Sequence, residues 1–75
     1  MRKELVTLRD TLIGYTEPSC FPNLEVAKRD FTASYKNHPN KDYMQLWHLG
    51  TYDTETAEID TCIPELIMKG VDIYG

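Results

Sequence analysis

The sequence predicts an α+β fold: a small single domain of order β-α-β-β, with a three-stranded, mainly antiparallel sheet and one main helix packed on one face. Three observations predict it. A short run of sheet-forming residues opens the chain, a capped and uninterrupted segment with helical apolar spacing fills residues 24–36, and two alternating segments flank a polar turn between residues 43 and 61. A chain of 75 residues has room for one core, because a domain of this size buries only roughly 60 % of its unfolded surface. Residues 1–75 are therefore read as one domain, with 1–62 forming the α+β core and 63–75 a short C-terminal helix and tail. An apolar content of 41 % and a charged content of 27 % suit a folded chain rather than a disordered one.

The first strand is expected at Glu4-Leu5-Val6-Thr7-Leu8, whose residues fit a pleated surface, with Arg9-Asp10-Thr11 marking its end. Residues 12–22 contain Gly14, Pro18 and Pro22, a composition that predicts an extended, kinked connection. Asn23 is a suitable N-cap, Glu25 complements the helix dipole in the first turn, and the helix is expected from Leu24 to Lys36. Leu24, Ala27, Phe31 and Tyr35 recur at spacings of three and four, giving one apolar stripe that needs a sheet to cover, with Lys28, Arg29 and Lys36 away from it. Pro39 disfavours helix at His38 and ends the segment.

From Tyr43 to Tyr52 the chain alternates, with Met44 and Leu46 on one face and Tyr43 and Trp47 on the other, a strand with apolar groups on both sides. Asp53-Thr54-Glu55-Thr56 predicts a hairpin turn and residues 57–61 the return strand. Pro64 and Gly70 bracket residues 65–69 as one or two turns of helix before the tail that runs to residue 75.

Charge divides unevenly. Residues 1–41 carry seven Lys/Arg against five Asp/Glu, and residues 42–75 carry one Lys against seven Asp/Glu, so +2 and −6 make up the net −4. Overall acidity argues against strong nonspecific nucleic-acid binding but leaves room for a local basic contact. No apolar run approaches the roughly 20 residues of a membrane helix, and Arg9-Asp10 follows the start too soon for an export signal. The protein is expected to be soluble and to remain where it is made, with Cys20 and Cys62 as reduced thiols.

No Gly-x-Ser-x-Gly, Walker or Rossmann pattern occurs, and neither cysteine sits in a nucleophile signature, so the chain is not expected to be an enzyme and no catalytic residue is assigned. Zinc-ligand spacing is missing, and no metal or cofactor is expected. Asp53, Glu55, Glu58 and Asp60 read first as the solvated face of a turn and strand, and secondarily as an acidic surface for a basic protein partner, in the manner of a DNA mimic. His38 and His48 read as turn or surface residues. Tyr43 and Trp47 on one strand face form a candidate stacking platform for unpaired bases, with Lys28, Arg29, Lys36 and Lys41 as candidate phosphate contacts. Strand aromatics are usually packing residues, so a core or a homodimer interface through that face or an edge competes with this reading.

The order of these motifs resembles the small nonstructural protein of gokushoviruses, tailless single-stranded DNA phages of the Microviridae. The resemblance is carried by Arg9-Asp10-Thr11, Pro18 to Pro22 with Phe21 between them, Ala27-Lys28-Arg29-Asp30-Phe31, His38-Pro39, Asp42-Tyr43, Leu46, Leu49-Gly50 and Tyr52-Asp53-Thr54-Glu55-Thr56. It covers residues 5 to about 60. Ala57 departs from it, standing where the family pattern usually has Gly, which predicts a different hairpin turn here. The resemblance implies a nonenzymatic protein present in the cytoplasm of the infected bacterium and left out of the mature virion. It further implies a role in viral single-stranded DNA synthesis or genome packaging, through binding to DNA or to replication and packaging proteins.

Overall fold

The computed structural model describes residues 1–73 and shows an α+β domain in which one helix covers one face of an antiparallel sheet. Strand β1 spans Arg2–Asp10, β2 Gly14–Tyr15, β3 Ser19–Phe21, α1 Leu24–Tyr35, β4 Met44–Asp53 and β5 Ile59–Lys69. The three long strands lie side by side in the order β1-β4-β5, and β2 and β3 share the outer edge of β1. The sheet therefore has five strands where three were expected. Residues 12–22 form the two additional short ones: Cys20 pairs with Leu5 and Tyr15 with Arg9 on the edge that β4 leaves open. Strands of two and three residues have no readable periodicity and exist only through this pairing.

Helix α1 forms as its local chemistry requires. The Asn23 side chain accepts a hydrogen bond of 2.9 Å from the Val26 N–H, closing the N-terminus. Ala27 and Phe31 are buried and Leu24 and Tyr35 partly so, all turned onto the sheet beside Val6, Met44, Leu46 and Ile73. Thr32 reaches the Met68 sulfur of β5 from the same side. Lys36 is the C-cap rather than the last helical residue, and Lys41–Tyr43 form a single 3₁₀ turn before β4.

The largest departure is at residues 64–69. They continue β5 as a strand and do not form the expected helix, because backbone pairing with β4 supplies hydrogen bonds that so short a helix could not match. Pro64 is accommodated in a bulge of this edge strand, where its missing N–H breaks no ladder bond. Gly70–Asp72 then make a 3₁₀ turn, and Ile73 closes the core; the end of the expected tail, residues 74 and 75, lies outside the described residues.

β4 is irregular at one level on both of its edges. On the β1 side the pairing passes from Val6–His48 to Leu5–Gly50, which leaves Leu49 unpaired, and on the β5 side Leu49 faces residues 62–64. Gly50 allows the break with φ +148°, and a Cβ there would collide with the carbonyl of Asp60 on β5.

Candidate nucleic-acid interface

Alternation along β1 and β4 divides the sheet into two unlike faces. Val6 and Leu8 of β1, with Met44 and Leu46 of β4, point under the helix. Leu5, Thr7 and Arg9 of β1 and Gln45, Trp47 and Leu49 of β4 point the other way, to a face that no helix covers. Tyr15 joins this open face by pairing with Arg9.

The aromatic groups of the open face are organised. Tyr15 stands edge-on to Trp47 with ring centroids 6.0 Å apart and an interplanar angle of 73°. The Arg9 guanidinium lies 5.4 Å from the Tyr15 ring centroid. The Trp47 indole N–H donates to the Gln45 side-chain oxygen at 3.0 Å, which holds the ring across the strand. Beside them runs an open groove of about 210 Å³ lined by Thr7, Tyr15, Thr16, Pro18, Leu49 and Pro64. The Thr7 hydroxyl donates to the Thr16 carbonyl at 2.8 Å and pins the segment after β2 against β1. Tyr15 remains more than half exposed.

The residues singled out in the sequence are distributed differently. Tyr43 belongs to the 3₁₀ turn before β4, not to the strand, and the aromatic neighbour of Trp47 is Tyr15. Lys28, Arg29 and Lys36 lie on or at the end of α1, in the layer on the far side of the sheet from Trp47, and Lys28 is 3.4 Å from Glu25. The Lys41 ammonium donates to the Ile73 carbonyl at 2.9 Å and ties the 3₁₀ turn to the chain end. Arg9 and Lys3, on alternate positions of β1, and Lys69 of β5, opposite Gln45, are cations that the fold brings to the Trp47 face. The sequence reading missed Tyr15 and Arg9 because Tyr15 lies inside the expected connection and Arg9 at the expected end of the first strand; the spacing Thr7–Arg9 was the available signal.

Asp53, Glu55, Glu58 and Asp60 gather at the β4–β5 hairpin. Asp53 accepts from the backbone N–H groups of Glu55 at 2.8 Å and Thr56 at 3.3 Å, and lies 3.7 Å from Arg2. These backbone hydrogen bonds, foremost the one from Glu55, hold its carboxyl below the usual aspartate range, with partial burial opposing them and Arg2 adding to them. Arg2 also pairs with Asp60 and bonds the Thr51 hydroxyl. Ala57 has φ 64°, the left-handed conformation that favours glycine.

His38 accepts from the Asn40 N–H through Nδ1 and packs edge-on to Tyr35. His48, expected at the surface, is mostly enclosed on the helix side of the sheet, opposite Val6. Among the described residues no group of three or more His, Cys, Asp or Glu side chains is gathered to hold a metal ion, and no helix is long and apolar enough to cross a membrane. Both cysteines are free thiols and exposed, Cys20 on β3 and Cys62 on β5, with β1 and β4 between those strands.

Fold and site together define a small sheet domain with one helix-covered face and one open aromatic face. A family model described as Phage ORF5 protein matches residues 3–73. The chain belongs to that family and is a bacteriophage accessory protein. Comparisons with curated proteins and with solved structures give no match.

Proposed function

We propose that this protein is a nonenzymatic accessory protein of a gokushovirus that acts in viral single-stranded DNA synthesis or genome packaging, by binding single-stranded DNA on the open face of its sheet. It works in the cytoplasm of the infected bacterium and stays out of the mature virion. The observation that carries this reading is the Tyr15–Trp47 pair with Arg9 against the Tyr15 ring, on a face left uncovered by the helix. Unpaired bases stack on such rings without sequence preference, and a guanidinium beside them can meet the phosphate that follows each base. Membership of a phage family supports the setting.

The test is a titration with short single-stranded and duplex DNA at low and near-physiological salt, following Trp47 fluorescence and the anisotropy of labelled DNA. Preference for the single strand with Trp47 quenching is expected. With Lys3 and Arg9 as the phosphate contacts, log K should fall against log salt with a slope of about −1 to −2. Absence of binding at low salt would overturn the reading. It would favour instead the acidic hairpin, where Glu55 and Asp60 are exposed, as a surface for a basic phage or host protein. A second copy of the chain is the competing occupant of the open face, and sedimentation without DNA reads it.

A further inference from the structure

The bulge of β5 places the Cys62 thiol 3.9 Å from Nδ1 of His48 and 4.0 Å from the His48 carbonyl oxygen. On the other side of the imidazole, Nε2 lies 3.7 Å from the Glu4 carboxylate. That Nε2 is buried and has no hydrogen-bond partner among the described residues, so Glu4 is the acceptor it faces. Thiol and carboxylate approach different ring nitrogens. They are strung in a line through the imidazole, not converged on a point, which is the arrangement for moving a proton rather than for chelating a metal.

One tautomer suits both neighbours: an unprotonated Nδ1 faces the thiol and Nε2–H points at the Glu4 carboxylate. Transfer of the thiol proton to Nδ1 then gives a thiolate beside an imidazolium, and the Glu4 carboxylate faces the new positive charge. Cys62 is exposed, so the sulfur is open to reagents from solvent.

We propose that Cys62 is a reactive thiol site that takes small-molecule disulfides, with His48 as proton acceptor and Glu4 as the residue that positions and stabilises the imidazole. The Cys62 thiolate attacks one sulfur of the disulfide and a protein–small-molecule mixed disulfide forms. The original S–S bond breaks, and the departing thiolate takes up the proton from His48. One thiol and one disulfide are consumed and one of each is produced.

The chain carries its own control. Cys20 is also free and exposed, on β3 opposite Leu5, and among the described residues no imidazole is paired with it. Incubation of the intact protein with oxidised glutathione, followed by mass spectrometry of peptides containing each cysteine, reads the two rates in one sample. Cys62 is expected to form the mixed disulfide about tenfold faster than Cys20. His48→Gln should bring the ratio to about one and leave the Cys20 rate unchanged, and Glu4→Gln should lower it part of the way. Both thiols are exposed in the fold, so circular dichroism of each variant is recorded alongside, and a native spectrum separates loss of activation from loss of fold. A wild-type ratio at or below one overturns the proposal, as does a ratio that both variants leave unchanged.

Discussion

Tyr15 meets Trp47 edge-on across the backbone of β1, although 31 residues of chain, including the whole of α1, separate them. The contact exists because β2 and β4 pair with opposite edges of β1, which brings Tyr15, opposite Arg9, and Trp47, opposite Thr7, to the same face on a diagonal across the strand. Replacing either ring by Ala removes one stacking surface, which should weaken single-stranded DNA binding by about 5- to 100-fold. Lys28→Ala, in the opposite layer, should change it little. Fluorescence anisotropy of the three variants separates these outcomes, and equal losses for all three would place the binding surface elsewhere.

Ala57 holds the fourth position of the hairpin loop in left-handed geometry, where a Cβ costs roughly 1–2 kcal/mol and glycine nothing. Part of that gain is offset by the larger freedom of glycine in the unfolded chain. Ala57→Gly should raise stability by about 0.5–1 kcal/mol in urea unfolding, with no change in the slope.

Gly50 is the opposite case. Its φ of +148° and the close approach of the Asp60 carbonyl leave no room for a side chain. Gly50→Ala should destabilise by at least about 2 kcal/mol, a large share of the several kcal/mol available to a domain of this size. Chemical denaturation measures it.

Asp53 orders the same hairpin through its carboxylate. With its folded pKa lowered, the stability it contributes is fully present above the ordinary aspartate value and is lost as pH falls through the lowered one. Thermal unfolding followed from pH 6 down to about 2.5 should show the Asp53→Asn variant less acid-sensitive than the parent at the low end, and less stable at pH 6.

Helix α1 was legible in the chain because its signals are local: Asn23 caps it, and the Leu24–Ala27–Phe31–Tyr35 stripe shows which side is buried. The polar turn after Tyr52 was legible for the same reason, since the Asp53 carboxylate bonds N–H groups two and three residues ahead. Residues 65–69 were misread as helix because Pro64 and Gly70 imitate helix boundaries. Their backbone bonds go instead to β4, some 20 residues upstream. The candidate site was half legible. Trp47 was visible as a strand aromatic, whereas Tyr15 and Arg9 acquire their role from the pairing of β2 with β1.

From sequence alone came the α+β class, the single helix with its buried stripe, the hairpin turn and the resemblance to a phage family. Tertiary structure decided that residues 12–22 add two strands to the edge of β1, which cations share a face with Trp47, and that Cys62 meets His48 with Glu4 behind it. The division follows the reach of the hydrogen bonds. A helix or a turn closes its bonds within a few residues and so writes them into neighbouring side chains, while a sheet takes its partners from distant segments and only the assembled fold selects them.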